Sequence, residues 1–246
     1  MQPKNVLITG ASSGIGAALA LHYSKPGVLI AITGRDYGRL HEITKQCQDR
    51  GAEVIMASID VTHKEAMQEW INEVNEQHSL ELVIANAGIS NAGEDRGENF
   101  DRKIFEVNLD GVLNTIHPAI KIMQQAGGGQ IAIMSSLASM ISAPRAPAYC
   151  ASKSALRVYG EALRNSLRKF NIKVSVICPG FVKTPLTDRN KYHMPFMMSV
   201  DKAACLSAKG LAKNHGLITY PKRMYFLLWL LRVLPHRLQE MVFSYL

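Results

Sequence analysis

Short apolar runs alternate with longer amphipathic stretches along almost the whole chain. The runs predict strands near Asn5–Thr9, Val28–Gly34, Glu53–Ile59, Leu82–Ala85, Gln130–Met134, Lys173–Cys178 and Leu217–Tyr220. The stretches between them predict helices near Ile15–Ser24, Arg39–Asp49, Lys64–His78, Arg102–Gln125, Pro147–Phe170 and Asp201–Lys213. Strands that read as continuous apolar runs are buried on both faces, and strands that take turns with helices belong to a parallel sheet. The expected architecture is therefore α/β: a doubly wound, mostly seven-stranded parallel sheet flanked by helices, occupying residues 1–221. Gly127-Gly128-Gly129 reads as a turn closing a helix. In such a sheet ligands bind outside the carboxyl ends of the strands. Thr9, Gly34, Asp60, Asn86, Ser136 and Pro179 all fall at predicted strand ends, so one crevice should collect them.

Two motifs give that crevice a chemistry. The first strand runs into Gly10-Ala11-Ser12-Ser13-Gly14-Ile15-Gly16 and then into the helix former Ala17-Ala18-Leu19-Ala20-Leu21. Gly10 suits a tight turn, Gly14 admits a phosphate close to the backbone, and Gly16 lets the helix pack against the strand. The free N–H groups and positive dipole end of that helix face an anion. The second motif is Tyr149-Cys150-Ala151-Ser152-Lys153, which puts a phenol and an ammonium on one helix face. A free phenol titrates near pH ~10, too high for a base at neutrality, and a neighbouring ammonium favours its ionised form.

The Gly-x-x-x-Gly-x-Gly spacing behind Thr9 resembles the classical short-chain dehydrogenase/reductase family, a Rossmann-type fold. Asn86-Ala87-Gly88, Asn108, Ser135-Ser136, Tyr149, Lys153 and Pro179-Gly180 follow in the family's order, over about residues 5–220. Ala85 departs from the pattern, where the family usually has a second Asn. The resemblance implies a catalytic group of Asn108, Ser136, Tyr149 and Lys153. Tyr149 would act as general acid/base and Ser136, rather than its neighbour Ser135, would bind the substrate oxygen. Lys153 would tune the phenol and hold the nicotinamide ribose, and Asn108 would bend its helix and hold a water leading from Lys153 to solvent. It also implies a nicotinamide dinucleotide held by Gly10, Ser12, Ser13, Gly14, Ile15, Gly16, Thr33, Arg35, Asp60, Val61, Asn86, Ala87, Gly88, Tyr149, Lys153, Pro179, Gly180, Val182 and Thr184. Gly34 stands where NAD-selecting members carry an acid and Arg35 follows it, which points to NADP over NAD, because a guanidinium pairs with a 2′-phosphate. Asp36 opposes that choice unless it caps the next helix. Asp60 reads either as an adenine contact or as a cap for the helix near Lys64. The substrate is an alcohol or carbonyl. Its pocket is expected from Ser136, Tyr149, Leu137 and Phe181, with Ser90, Ala143 and a lid over Leu186–Val200 carrying Met194, Phe196, Met197 and Met198. That apolar lid slightly favours a lipophilic substrate. Family members are commonly homodimers or homotetramers through their long helices.

Composition sets the remaining bounds. The chain has 246 residues, 47% of them apolar, and a formal net charge of +8. A basic balance suits an anionic cofactor or a membrane surface, but no basic run with interleaved aromatics suggests nucleic acid. Cys47, Cys150, Cys178 and Cys205 show neither paired nor metal-ligand spacing, so no metal is expected, and no apolar leader precedes the first strand. A reducing, cytoplasmic compartment is the expectation, with membrane association open. Residues 222–246 form an apolar tail, centred on Tyr225–Pro235 and flanked by Lys222, Arg223, Arg232 and Arg237. The run is shorter than the ~20 residues that span a bilayer. It reads as a helix lying on an anionic membrane, as a contact with another subunit, or as a cover over the substrate pocket. The reading as a whole is an NADP(H)-dependent oxidoreductase. Its alternative is a catalytically silent protein that senses NADP(H) or binds a membrane surface.

Overall fold

The computed structural model describes residues 3–91, 97–190 and 193–243. Seven parallel strands form one sheet: β1 (Asn5–Thr9), β2 (Leu29–Thr33), β3 (Glu53–Ala57), β4 (Leu82–Ala85), β5 (Gly129–Met134), β6 (Ile172–Pro179) and β7 (Leu217–Tyr220). Their spatial order is β3-β2-β1-β4-β5-β6-β7. The order reverses between β1 and β4, and the crevice above that point is where a doubly wound sheet binds its ligand. β1 is in register with β2 from Asn5↔Leu29 to Thr9↔Thr33 and with β4 from Val6↔Leu82 to Ile8↔Ile84.

The central strands are buried on both faces, as their unbroken apolar runs require. Side chains of β1 and β2 alternate between two core layers. Val6, Ile8, Ile30 and Ile32 pack under α1 (Gly14–Tyr23), α2 (Tyr37–Gln48) and α7 (Val200–Ala212). Leu7 and Ala31 pack on the other side with Met67, Trp70 and Ile71 of α3 (Lys64–Gln77). α5 (Gly111–Gln125) and α6 (Pro147–Leu167) complete that second layer through Ile116, Met123 and Leu156.

The single helix predicted over 102–125 is two. α4 (Glu98–Phe105) and α5 are joined by a π-helical turn, Glu106–Asp110. Asn108 is the cause: its Oδ1 accepts from the N–H of Ile89 at 2.8 Å and its Nδ2 donates to the Ile89 carbonyl at 3.1 Å. A fully buried side chain committed to another loop in this way sets the backbone off the ordinary helical pitch. Beyond β7 the chain continues as α8 (Lys222–Val233) and α9 (His236–Phe243). Leu228 of α8 packs in a small third cluster with Leu137, Val176 and Cys178.

Candidate active site

The glycine loop is built as its spacing predicts. Gly10 and Gly14 have φ of +67° and +59°, which a side chain would strain. A Cβ on Gly10 would lie 2.7 Å from Cα of Ala87, and one on Gly16 would lie 2.4 Å from the carbonyl oxygen of Gly10. Gly16 thus acts from behind, holding α1 against the loop. Asn86 ties the two sides together, its Nδ2 donating to the carbonyls of Thr9 at 3.0 Å and Gly10 at 3.1 Å. Ser13, the residue preceding α1, makes no side-chain capping bond, which leaves first-turn N–H groups of α1 directed at the crevice.

A cleft of about 320 Å³ lies over the carboxyl ends of the strands. Gly10, Ser12, Ser13, Gly14, Ile15, Arg35, Asp60, Val61, Asn86, Ala87 and Gly88 line one part of it. Ser136, Tyr149, Lys153, Pro179, Gly180, Val182 and Thr184 line the rest. One continuous cleft therefore holds the glycine cradle and the Tyr–Lys pair. Its glycines leave backbone-lined space that a Cβ would fill, and the first turn of α1 carries no acidic residue. Those features fit the pyrophosphate of a dinucleotide.

At the far end Lys153 is fully buried, and its Nζ donates to the Met134 carbonyl at 2.9 Å and lies 5.8 Å from the Tyr149 ring centroid. Burial pulls its pKa down to about 8, against a smaller opposing pull from Cys178. Gly88 makes room for it, since a Cβ there would meet Nζ of Lys153 at 3.2 Å and Oδ1 of Asn108 at 3.1 Å. Asn108 sits behind the cleft, its Nδ2 reaching Ser152 Oγ at 3.0 Å. The two serines differ in commitment. Ser135 Oγ is buried and donates to the Lys153 carbonyl at 2.7 Å. Ser136 Oγ accepts from the Ala138 N–H at 3.1 Å and makes only a long contact, 3.4 Å, to the Pro179 carbonyl, which leaves it facing the cleft.

The opposite end of the cleft carries two guanidinium groups. Arg35 reaches Asp60 at 3.6 Å with its side chain 58% exposed. Arg39, expected only as the first residue of a helix, also lines the cleft. Asp36 caps α2: its Oδ1 accepts from the Arg39 N–H at 3.0 Å and its Oδ2 from Arg39 Nε at 2.6 Å. Those bonds hold the Asp36 carboxyl below the usual range. Burial pushes Asp60 up, but hydrogen bonds from Thr62 and the charge of Arg35 outweigh it and hold the carboxyl low. Asp60 makes an Asx turn onto Thr62, and His63 occupies the cap position of α3, so Asp60 is not that helix's cap.

Not every expected residue lines the cleft. Thr33 is fully buried in β2, and its hydroxyl donates to the Ile59 carbonyl at 3.5 Å. Leu137 is 1% exposed and belongs to the cluster beneath α8. Phe181, Ser90 and Ala143 do not line the cleft, and neither Thr33 nor Leu137 does. In the expected lid, Met198 is a core residue while Phe196 and Met197 are exposed; Lys191 and Tyr192 lie outside the described residues. The Thr184 hydroxyl contacts that of Thr187 at 3.3 Å, and the Thr187 hydroxyl donates to the Val182 carbonyl at 2.7 Å, which folds the loop back over the cleft. Thr187 and Arg39 are among the lining residues the sequence did not single out. An Asp–x–x–Arg pattern across a helix start was the available signal for Arg39.

A family model described as short chain dehydrogenase matches residues 4–194. An uncharacterised oxidoreductase of Myxococcus xanthus is 33% identical over 97% of this chain and 95% of its own length. Among solved structures, a short-chain dehydrogenase/reductase of Burkholderia phymatum in complex with NAD aligns with a TM-score of 0.84 at 24% identity, covering 92% of both chains. A short-chain dehydrogenase of Sphingobium yanoikuyae in complex with NADPH aligns at 0.81 and 23% identity, covering 88% of this chain and 87% of its own. At that level of identity the two structures speak for the fold.

Proposed function

Because the chain belongs to the short-chain dehydrogenase family, an oxidoreductase family with a nicotinamide cofactor, we propose that it is an NADP(H)-dependent enzyme acting on an alcohol/carbonyl pair. The observation that carries this reading is the single cleft shared by the glycine cradle, Ser136, Tyr149 and buried Lys153. The nicotinamide, when bound, supplies or accepts the hydride. The side chains do the rest. Ser136 Oγ donates to the substrate oxygen and stabilises charge that develops there. Tyr149 donates its phenolic proton to that oxygen in reduction and accepts one in oxidation. Lys153, cationic below pH 8, favours the phenolate and returns the proton. Asn108 holds the backbone on which Lys153 depends.

Arg35 and Arg39 support the NADP preference. Both face the ribose end of the cleft, and Asp36, the acid that could repel a 2′-phosphate, is already spent on capping α2 and pairing Arg39. A lipophilic substrate suits the apolar Pro185 and Leu186, which line the cleft after Val182. Four free cysteines among the described residues support a reducing compartment such as the cytoplasm. The exposed Val158 of α6 and Phe105 of α4 support a homodimer or homotetramer through those helices.

Tyr149→Phe is the test. Turnover should fall about a thousandfold with NADPH affinity preserved; retained turnover would remove the assignment. Titration of nicotinamide fluorescence should show tighter binding of NADPH than of NADH. Arg35→Ser and Arg39→Ser should each weaken NADPH by about tenfold and leave NADH alone. Equal losses for both cofactors would assign the arginines to another role.

A further inference from the structure

Between its basic residues Lys222, Arg223 and Arg232, α8 carries the unbroken apolar run Tyr225-Phe226-Leu227-Leu228-Trp229-Leu230-Leu231, a pattern that belongs to a helix covered on every side. Only Leu228 is buried, against Leu137, Val176 and Cys178. Opposite it Phe226 is 60% exposed, Trp229 48%, Leu230 49% and Val233 66%. At helical pitch these four form one stripe. The rings of Phe226 and Trp229 stack, with centroids 6.1 Å apart. Leu238 and Met241 extend the apolar surface into α9. We propose that α8 and α9 dock this protein on an anionic lipid surface, the stripe entering the boundary between headgroups and acyl chains.

Charge selects that occupant. The tail carries four basic residues, Lys222, Arg223, Arg232 and Arg237, against the single acid Glu240. Arg223, Arg232 and Arg237 are exposed beside the apolar stripe, and Glu240 is drawn to His236 at 3.4 Å. A second copy seated on the same face would bring like charges together with little to neutralise them. Anionic headgroups supply that neutralisation, at about 1 kcal/mol for each basic residue near the surface. At 12 residues and ~1.5 Å per residue, α8 is too short to cross a bilayer, and no helix among the described residues is long and apolar enough to do so. It lies in the plane of the surface instead, with Trp229 as the interfacial aromatic.

Cosedimentation of the full chain with vesicles tests this. Vesicles of phosphatidylcholine mixed with phosphatidylglycerol should bind about tenfold more protein than phosphatidylcholine alone, and added salt should erase the difference. Trp229→Ser/Leu230→Ser, at exposed positions, should lose about tenfold in vesicle binding with turnover of a water-soluble carbonyl unchanged. Arg223→Glu/Arg232→Glu should lose the anionic preference even if the serine variant misfolds. Indifference of the wild-type chain to both vesicles would overturn the proposal. So would vesicle binding that survives the serine pair, or a wild-type dimer that the pair converts to monomer.

Discussion

α1 and α8 are short helices of similar length, each with an apolar run at its centre, yet the fold treats them oppositely. α1 buries six of its ten residues between β1 and α7, using glycine and alanine to bring backbones close. α8 has twelve residues and buries one. An apolar run towards each end of the chain is thus covered from within the molecule in one case and left largely uncovered in the other. A covered apolar helix can be tuned to a ligand because its position is fixed by close contact. An uncovered one has no such constraint, and its side chains remain free for a surface outside the chain.

Substitutions at the cradle should therefore be the costly ones. Gly16→Ala would place a Cβ 2.4 Å from the Gly10 carbonyl oxygen and 2.5 Å from Nδ2 of Asn86. Backbone must move, the Asn86 bonds to Thr9 and Gly10 are lost, and the cost is about 3 kcal/mol or more, with dinucleotide binding lost alongside. Chemical denaturation and cofactor titration on one variant measure both. A stable variant that binds normally would mean that α1 is not held as closely as the comparison requires.

Lys153 gives an effect of up to about the same size, set by pH. Burial lowers its pKa from 10.5 to about 8. Below pH 8 it is protonated in the folded and unfolded chain alike, and the folded protein carries a constant cost. Between 8 and 10.5 the unfolded chain keeps a proton that the folded chain has released, so stability rises, by up to about 3 kcal/mol, and then levels. Cys47, Cys150 and Cys178 are buried with raised pKa values and act in the opposite sense as pH rises. The measurement is accordingly a difference between wild type and Lys153→Met. Wild type should gain stability relative to the variant across the window, and a flat difference would place Lys153 in solvent.

Much of this was legible in the sequence, for physical reasons that also mark where legibility stops. Continuous apolar runs place all seven strands to within a residue or two, because buried parallel strands admit little else. The glycine spacing fixes the cradle, since each glycine is demanded by a φ angle or a close contact. Thr33 lies outside the cleft lining because in a strand covered on both faces a side chain is enclosed whichever way it points. Leu137 packs under α8 because an apolar residue beside Ser136 serves a pocket or a core equally well in sequence. The π-helical turn at Asn108 left no periodic trace: five residues of altered pitch inside two good helices barely disturb an apolar stripe. Arg39 needed the cap geometry of Asp36 to be seen. α8 is the plainest case, because an apolar run states that cover is required and not where the cover comes from.

The smallest effect separates the two sides of α8. Leu227 and Leu228 are neighbours of one residue type, the first 50% exposed and the second 7%. Leu228→Ala would open a cavity against Leu137, Val176 and Cys178, at a cost of about 2–3 kcal/mol. Leu227→Ala removes no packing and should fall within about 0.5 kcal/mol of wild type. Urea unfolding of the pair reads the contrast directly. Leu137 follows Ser136 immediately, and a Cβ on Gly180 would meet Met224 Sδ at 3.0 Å, so α8 leans on residues next to the cleft. Leu228→Ala should then also raise KM with kcat little changed, through a loosened cleft wall, whereas Leu227→Ala should leave both alone. Similar losses in both variants would mean that the outer face of α8 is already covered in solution, and the contrast with α1 would collapse.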